Sequence, residues 1–311
     1  MQLIVIVVVV VVLLLLLSAF RNKQRSPSFW RKQLQGKVVL ITGASSGLGR
    51  ACALAFHQAG CRLILSARNY DRLTKTKEAI LSDGGNESDV QVLQMDLSDI
   101  DSLNEKAKCA LEMYSQVDVL VNNGGVSSRS SVLDTNIAVD QQLMAVNYFG
   151  AVALTKALLP HMISKRSGHI VAISSVQGKL AIPFRSSYAA SKHALEAFFE
   201  SLRSEVVDFG VHVTLICPGY INTQLSVNAV TGDGAKYGVT DRSTQQGMSP
   251  EMVAANVVAA TACHREELLL TTIDARAAVY LRTLCPFLLR KILRRRARKQ
   301  KREQAANSKA E

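Results

Sequence analysis

At 311 residues, 48% apolar and 20% charged, the chain is long enough for one large α/β domain with appendages and too apolar for a disordered polypeptide. Its formal net charge of +12 sits at the ends: residues 21–37 carry six Lys or Arg and no acid, residues 290–302 carry nine, and 38–289 net −2. A near-neutral central module speaks against a nucleic-acid reader, whose basic stripe lies on the folded domain itself, whereas basic runs beside apolar stretches suit an anionic lipid surface.

From Leu3 to Phe20 every residue is apolar except Ser18. As a helix this run is roughly 27 Å long, close to the hydrocarbon thickness of a bilayer. It lacks a basic start and leads into Arg21, Lys23 and Arg25 rather than a small-residue cleavage site, so residues 1–20 read as an uncleaved transmembrane signal anchor. Residues 21–37 follow as a basic juxtamembrane linker. The positive-inside rule then puts the domain in the cytosol, on a single-pass protein of the endoplasmic reticulum membrane. A sequon at Asn86-Glu87-Ser88 would be used only on a lumenal domain.

Beyond Val38, short apolar runs alternate with longer amphipathic stretches. Strands are expected at 38–42, 62–67, 90–95, 118–122, 168–174, 211–216 and 267–271, with helices between them. The alternation predicts a doubly wound parallel α/β sheet of about seven strands, one domain spanning 38–275. Residues 219–249, rich in Gly, Thr, Ser and Asn, follow a strand end, where such sheets bind ligands, and a loop of that length is usually functional or disordered.

The first strand runs into Thr42-Gly43-Ala44-Ser45-Ser46-Gly47-Leu48-Gly49 and then a helical stretch. Glycines 43, 47 and 49 allow a sharp turn and close approach to a pyrophosphate, while the free N–H groups at the helix start face the anion. The second strand ends at Arg68, at the adenosine ribose. An acid there would hold the 2′-hydroxyl of NAD; an Arg pairs instead with the 2′-phosphate, so NADP(H) is the preferred cofactor and NAD(H) the second option. Asp96 after the third strand meets the adenine edge or caps the helix that follows.

Tyr188 and Lys192 stand four apart and project from one helix face, with Ser175 thirteen residues before Tyr188 at a strand end. With the glycine loop, Asn122-Asn123-Gly124-Gly125 after the fourth strand, Asn147, and Pro218-Gly219 after the sixth, this order of motifs resembles the short-chain dehydrogenase/reductase family over residues 36 to 275. More narrowly, Asn147-Tyr148-Phe149-Gly150, Pro183-Phe184-Arg185 and 226–230 are similar to a membrane-anchored branch of it.

The resemblance implies a Rossmann fold and an oxidoreductase in which Tyr188 exchanges the proton, Ser175 holds the substrate oxygen, Lys192 binds the ribose and Asn147 orders a relay water. It also implies cofactor contacts from Ser45, Ser46, Leu48, Asn123, Pro218 and Thr223. A free Tyr titrates near 10, so work near neutrality asks for about 4 kcal/mol of phenolate stabilisation, for which the Lys192 ammonium has the required sign. The chain departs from the family at Gly124, where alanine is usual. The missing methyl is expected to loosen local packing without abolishing cofactor binding.

Arg185, beside the tyrosine motif, reads as a surface charge in preference to a contact for a substrate phosphate. The six cysteines show neither close pairing nor metal-ligand spacing, so no metal is expected and buried free thiols are. Residues 276–311 mix apolar and basic residues, with Pro286 breaking any helix; they form either an interfacial membrane segment or a packed terminal helix with a solvated end. The expected function is hydride transfer between NADP(H) and a small lipophilic ketone or secondary alcohol, with membrane lipid as a partner, no nucleic acid, and a homo-oligomer as the family expectation. The alternative is a cofactor-binding membrane scaffold with little catalysis.

Overall fold

The computed structural model describes residues 26–307. The expected transmembrane anchor, residues 1–20, lies outside them. The first described element is helix α1, Pro27–Leu34, started by Pro27 in its first turn and by the Ser26 hydroxyl, which accepts from Phe29 N at 3.3 Å. Leu34 is buried in the domain core, with Phe29 and Trp30 packed against it. The expected linker is therefore a docked helix over its second half, because its three apolar residues find a core to cover.

In chain order follow β1 (Val38–Thr42), α2 (Gly47–Gln58), β2 (Arg62–Ala67), α3 (Tyr70–Ser82), β3 (Val90–Gln94), α4 (Leu103–Tyr114) and β4 (Val119–Asn122). Then come α5 (Ile137–Met144), a π-helical turn at Ala145–Phe149, α6 (Gly150–Ser164), β5 (Gly168–Ile173), the short α7 (Val176–Lys179) and α8 (Ser186–Val206). The chain continues through β6 (Val211–Pro218), the short α9 (Arg242–Gln245), α10 (Pro250–Ala262), β7 (Glu267–Leu270), α11 (Ile273–Leu284) and α12 (Pro286–Asn307). Each of the seven expected strands is present, all paired in parallel in the order β3-β2-β1-β4-β5-β6-β7.

The strand sequences explain the layers. All five residues of β1 and all six of β5 are buried, as a sheet covered on both faces requires. Along β1 the pleat sends Val39 and Ile41 into the core under α2 and α10, and Val38 and Leu40 into the core under α4, α6 and α8. The apolar run Ile137–Ser164 is long enough to cross a membrane, but Leu154, Leu158 and Met162 are buried in the second of these cores, and Leu143 is buried beside Val139 and Tyr188, so it is a helical stretch of the fold. Strand order reverses between β1 and β4. The crevice opens there, beyond the carboxyl ends of both strands.

Candidate active site

A cleft of about 540 Å³ lies at that crevice. Its floor is the turn from β1 into α2. Gly43 and Gly47 hold positive φ, +68° and +51°, and a Cβ at Gly49 would come within 2.2 Å of the Gly43 carbonyl oxygen, so only glycine permits this backbone. The turn is stitched to β4: Asn123 Nδ2 donates to Thr42 O at 2.8 Å, and the Thr42 hydroxyl accepts from Asn123 N and Gly124 N at 3.0 and 2.9 Å. Ser45, Ser46 and the first turn of α2, Gly47 to Gly49, line the cleft. Ser46 makes no side-chain cap, so no hydroxyl covers the helix-start N–H groups of this cleft-lining turn.

Arg68 and Arg72 line the outer end together with Asp96. Asp96 does not cap a helix. Its Oδ1 accepts from Ser98 N and the Ser98 hydroxyl at 2.9 and 2.7 Å, fixing the carboxylate at the cleft wall. At Gly124, a Cβ would meet Leu97 Cδ1 at 2.5 Å, so the Leu97 side chain occupies the space of the missing methyl and packing there is not loosened.

The inner end holds Ser175, Tyr188 and Lys192. Ser175, two residues past β5, caps α7, accepting from Gln177 N at 3.1 Å, and it also hydrogen-bonds to Tyr188. Tyr188 and Lys192 sit on consecutive turns of α8, 6% and 4% exposed, which rules out solvated surface roles. Lys192 Nζ donates to Ile173 O at 2.9 Å. Burial pulls its ammonium down to about 8, with the Glu196 carboxylate acting the other way. Burial likewise raises the Tyr188 hydroxyl above its ordinary value, against lowering by Ser175, Arg129 and Arg185. Desolvation dominates, so Tyr188 carries its proton at neutral pH, the form that can donate.

Asn147 lies in the π-helical turn and is buried, but its amide is committed to protein. Oδ1 accepts from Val126 N at 2.8 Å, and Nδ2 donates to Val126 O and Ser191 Oγ, both at 2.9 Å. Both amide protons are thus used within the protein, and only the second lone pair of Oδ1 is left to meet a water. Pro218 and Thr223 line the cleft, and Thr223 closes over the glycine turn, its Cγ2 lying 3.2 Å from where a Gly47 Cβ would be.

Residues 219–249 form the wall facing Tyr188. The segment is tied at both ends and its middle: Gly219 N donates to Leu270 O at 2.7 Å, Met248 N to Tyr220 O at 2.9 Å, and Val230 N to Ser127 O at 2.9 Å. Tyr220, Ile221, Thr223 and Leu225 line the cleft from it. Asp241 in this segment pairs with Arg129 at 2.7 Å and Arg185 at 3.1 Å. Arg185 is thus no surface charge. It is 6% exposed, turned inward beside Phe184 at φ +62°, and is not among the cleft-lining residues.

Sequence reasoning missed Asp241 and Arg129, 112 residues apart, for which no local pattern exists. It also missed Glu196, although that residue stands four after Lys192 on the same face of α8. The Glu196 carboxylate accepts from the Ser174 hydroxyl at 2.5 Å and pairs with Lys179 at 2.9 Å. What the arrangement can do chemically is give a proton to, or take one from, an oxygen held between two hydroxyls, beside a cation and next to a phosphate cradle.

Comparison with known proteins agrees with the geometry. The profile of the short chain dehydrogenase family matches residues 37–234. The chain is 49% identical over 269 residues to a dehydrogenase/reductase SDR family protein 7-like of Drosophila melanogaster, covering 86% of this chain and 82% of that one. It is 47% identical over 290 residues to dehydrogenase/reductase SDR family member 7B of Mus musculus, covering 93% and 89%. Among solved structures, a short chain dehydrogenase/reductase from Burkholderia phymatum in complex with NAD superposes with a TM-score of 0.71 at 27% identity, covering 80% of this chain and 94% of that one.

Proposed function

We propose that this chain, which belongs to the short-chain dehydrogenase/reductase family, transfers hydride between NADP(H) and a lipophilic ketone or secondary alcohol, with Tyr188 as the acid and base. The observation that carries the reading is the meeting of Ser175, Tyr188 and Lys192 at one end of a cleft whose other end is a glycine cradle flanked by Arg68 and Arg72. The cradle fits a dinucleotide, since Gly43 and Gly49 permit a turn too tight for side chains, and this turn brings the start of α2, with no side-chain cap from Ser46, to the cleft. When bound, the nicotinamide supplies or accepts the hydride.

The roles follow from each group's surroundings. Ser175 and Tyr188 both donate to the substrate oxygen, and Tyr188 passes its proton as negative charge develops there. Lys192, fixed by Ile173 O, keeps a cation beside the phenolate and holds the ribose. Ser45, Ser46, Leu48, Asn123, Pro218 and Thr223 shape the cofactor channel. Asn147 acts as a positioning residue that holds the Val126 backbone. Arg68, exposed at the end of β2, favours the 2′-phosphate of NADPH, with NADH as the weaker cofactor.

A lipophilic substrate is inferred from the apolar segment 3–20, which would hold the domain at the endoplasmic reticulum membrane, facing the cytosol by its basic flank. A homo-oligomer is the family expectation. The test is NADPH oxidation by the full chain in liposomes against a panel of lipophilic ketones, with NADH and Tyr188→Phe in parallel. Ketone-dependent turnover lost in Tyr188→Phe supports the reading; absence of NADPH binding overturns it.

A further inference from the structure

The C-terminal helices leave an apolar and basic face that the domain does not cover. On α11, Ile273, Tyr280 and Leu284 fall on one stripe, spaced seven and four apart, and no residue of that helix is buried. The opposite side of α11 is the docked one, since Arg282 Nη1 lies 2.8 Å from His193 Nε2. Exposure along the stripe is high, 89% at Ile273 and 80% at Leu284. The patch continues onto α12, where Phe287 is 71% exposed, with Leu288 and Ile292 also exposed.

The helix α12 has a defined inner side. Leu289 is buried and Arg296, seven residues on, donates from Nη2 to the Tyr220 hydroxyl at 3.1 Å. Helical periodicity then sets Phe287, Lys291, Arg294, Arg295 and Arg298 on the outer side, and all five are exposed. Residues 275–302 contain eleven Lys or Arg and no acid. An exposed apolar stripe that runs directly into a basic one is the pattern of a helix lying at the boundary of acyl chains and negatively charged headgroups.

We propose that the outer face of α11 and α12 is a docking surface for an anionic bilayer, seated beside the cleft mouth. Arg296 provides the link to the mouth, because its partner Tyr220 lines the cleft. A docked face would bring that wall of the cleft to the headgroup layer, where an apolar ketone partitions. The surface is independent of the reaction proposed above and is tested without turnover.

Cys285 makes the test direct. It is an exposed free thiol at the junction of the two helices, within the patch, whereas Cys52, Cys61 and Cys217 are buried. The full chain carrying Cys109→Ser and Cys263→Ser is labelled there with a polarity-sensitive fluorophore. It is then reconstituted into vesicles of phosphatidylcholine, alone or mixed with phosphatidylserine. The expected result is a blue shift and quenching by headgroup-region spin-labelled lipid in the mixed vesicles. Both effects should weaken in high salt and in the triple variant Arg294→Gln, Arg295→Gln, Arg298→Gln, whose fold is checked by its thermal melt. Water-like emission in both lipids overturns the proposal. So does a blue-shifted signal that ignores lipid charge and is not quenched by lipid, which would mean that the N-terminal segment or a second copy of the chain covers the face.

Discussion

The ammonium of Lys192 lies 5.9 Å from the centroid of the Tyr188 ring, one helical turn away, while its hydrogen bond to Ile173 O pins it to the end of β5. The two groups thus have a fixed separation set by helix and strand together. A rigid cation near a buried hydroxyl costs little reorganisation when that hydroxyl becomes a phenolate.

Tyr188→Phe removes the proton carrier and keeps the ring. The expected outcome is a fall in kcat of about 10²- to 10⁴-fold, the usual contribution of a positioned acid or base. NADPH affinity, read by fluorescence titration, should stay within a few-fold of the parent. Retained turnover would assign the proton to another group.

Glu196 raises the Lys192 value that burial has lowered to about 8. Glu196→Gln removes that opposing charge, so Lys192 should lose its proton at lower pH and the alkaline limb of the kcat/KM profile should move downward. The glutamine oxygen can still accept from Ser174, and Lys179 keeps Glu200 and Glu267, so the fold is expected to survive. An unmoved alkaline limb would remove Glu196 from the electrostatics of the site.

Arg68→Ala should weaken NADPH binding about 10- to 100-fold, the value of one charge-assisted hydrogen bond, and leave NADH nearly unchanged. Paired KM values for the two cofactors are the check. Equal losses for both would mean that Arg68 does not read the 2′-phosphate.

Asp241→Asn leaves Arg129 and Arg185, 9% and 7% exposed in their side chains, close together without their shared carboxylate. Loss of one partner from a pair this buried is expected to destabilise by about 3 kcal/mol. Thermal melting should show it, with KM rising as the 219–249 wall loosens. Adding Arg185→Met to the variant should restore part of the melting temperature, since the repulsion between the two cations is then gone.

Acid should destabilise the domain through His169. Burial, with His264 and His212 beside it, pulls this imidazole from an ordinary 6.5 down to about 3 in the folded state. The unfolded chain therefore binds a proton that the native state refuses once pH falls below about 6.5. Stability is full above that value and is lost by about 1.4 kcal/mol per pH unit on the way down. Melts between pH 7.5 and 4.5 should fall steeply for the parent and less so for His169→Gln.

Much of the fold was legible because its signals are local. The runs that became β1, β2 and β5 are dense in β-branched and apolar residues, buried on both faces, and bounded by turn residues, so their ends were read to within two residues. The glycine turn was legible for a steric reason, since its backbone excludes side chains. Tyr188 and Lys192 were legible because helical spacing is a property of the chain itself.

What the sequence by itself determined, then, is the parallel sheet, the phosphate cradle and the pairing of Tyr188 with Lys192, each specified by periodicity or backbone sterics within a few residues. Only the tertiary structure decided that Arg185 turns inward to Asp241, that Leu97 fills the space beside Gly124, that the Asn147 amide is spent on Val126 and Ser191, and that Arg296 reaches Tyr220. These contacts join segments far apart in the chain. Their formation depends on which groups burial leaves in need of a partner, and that is set only once the layers have packed.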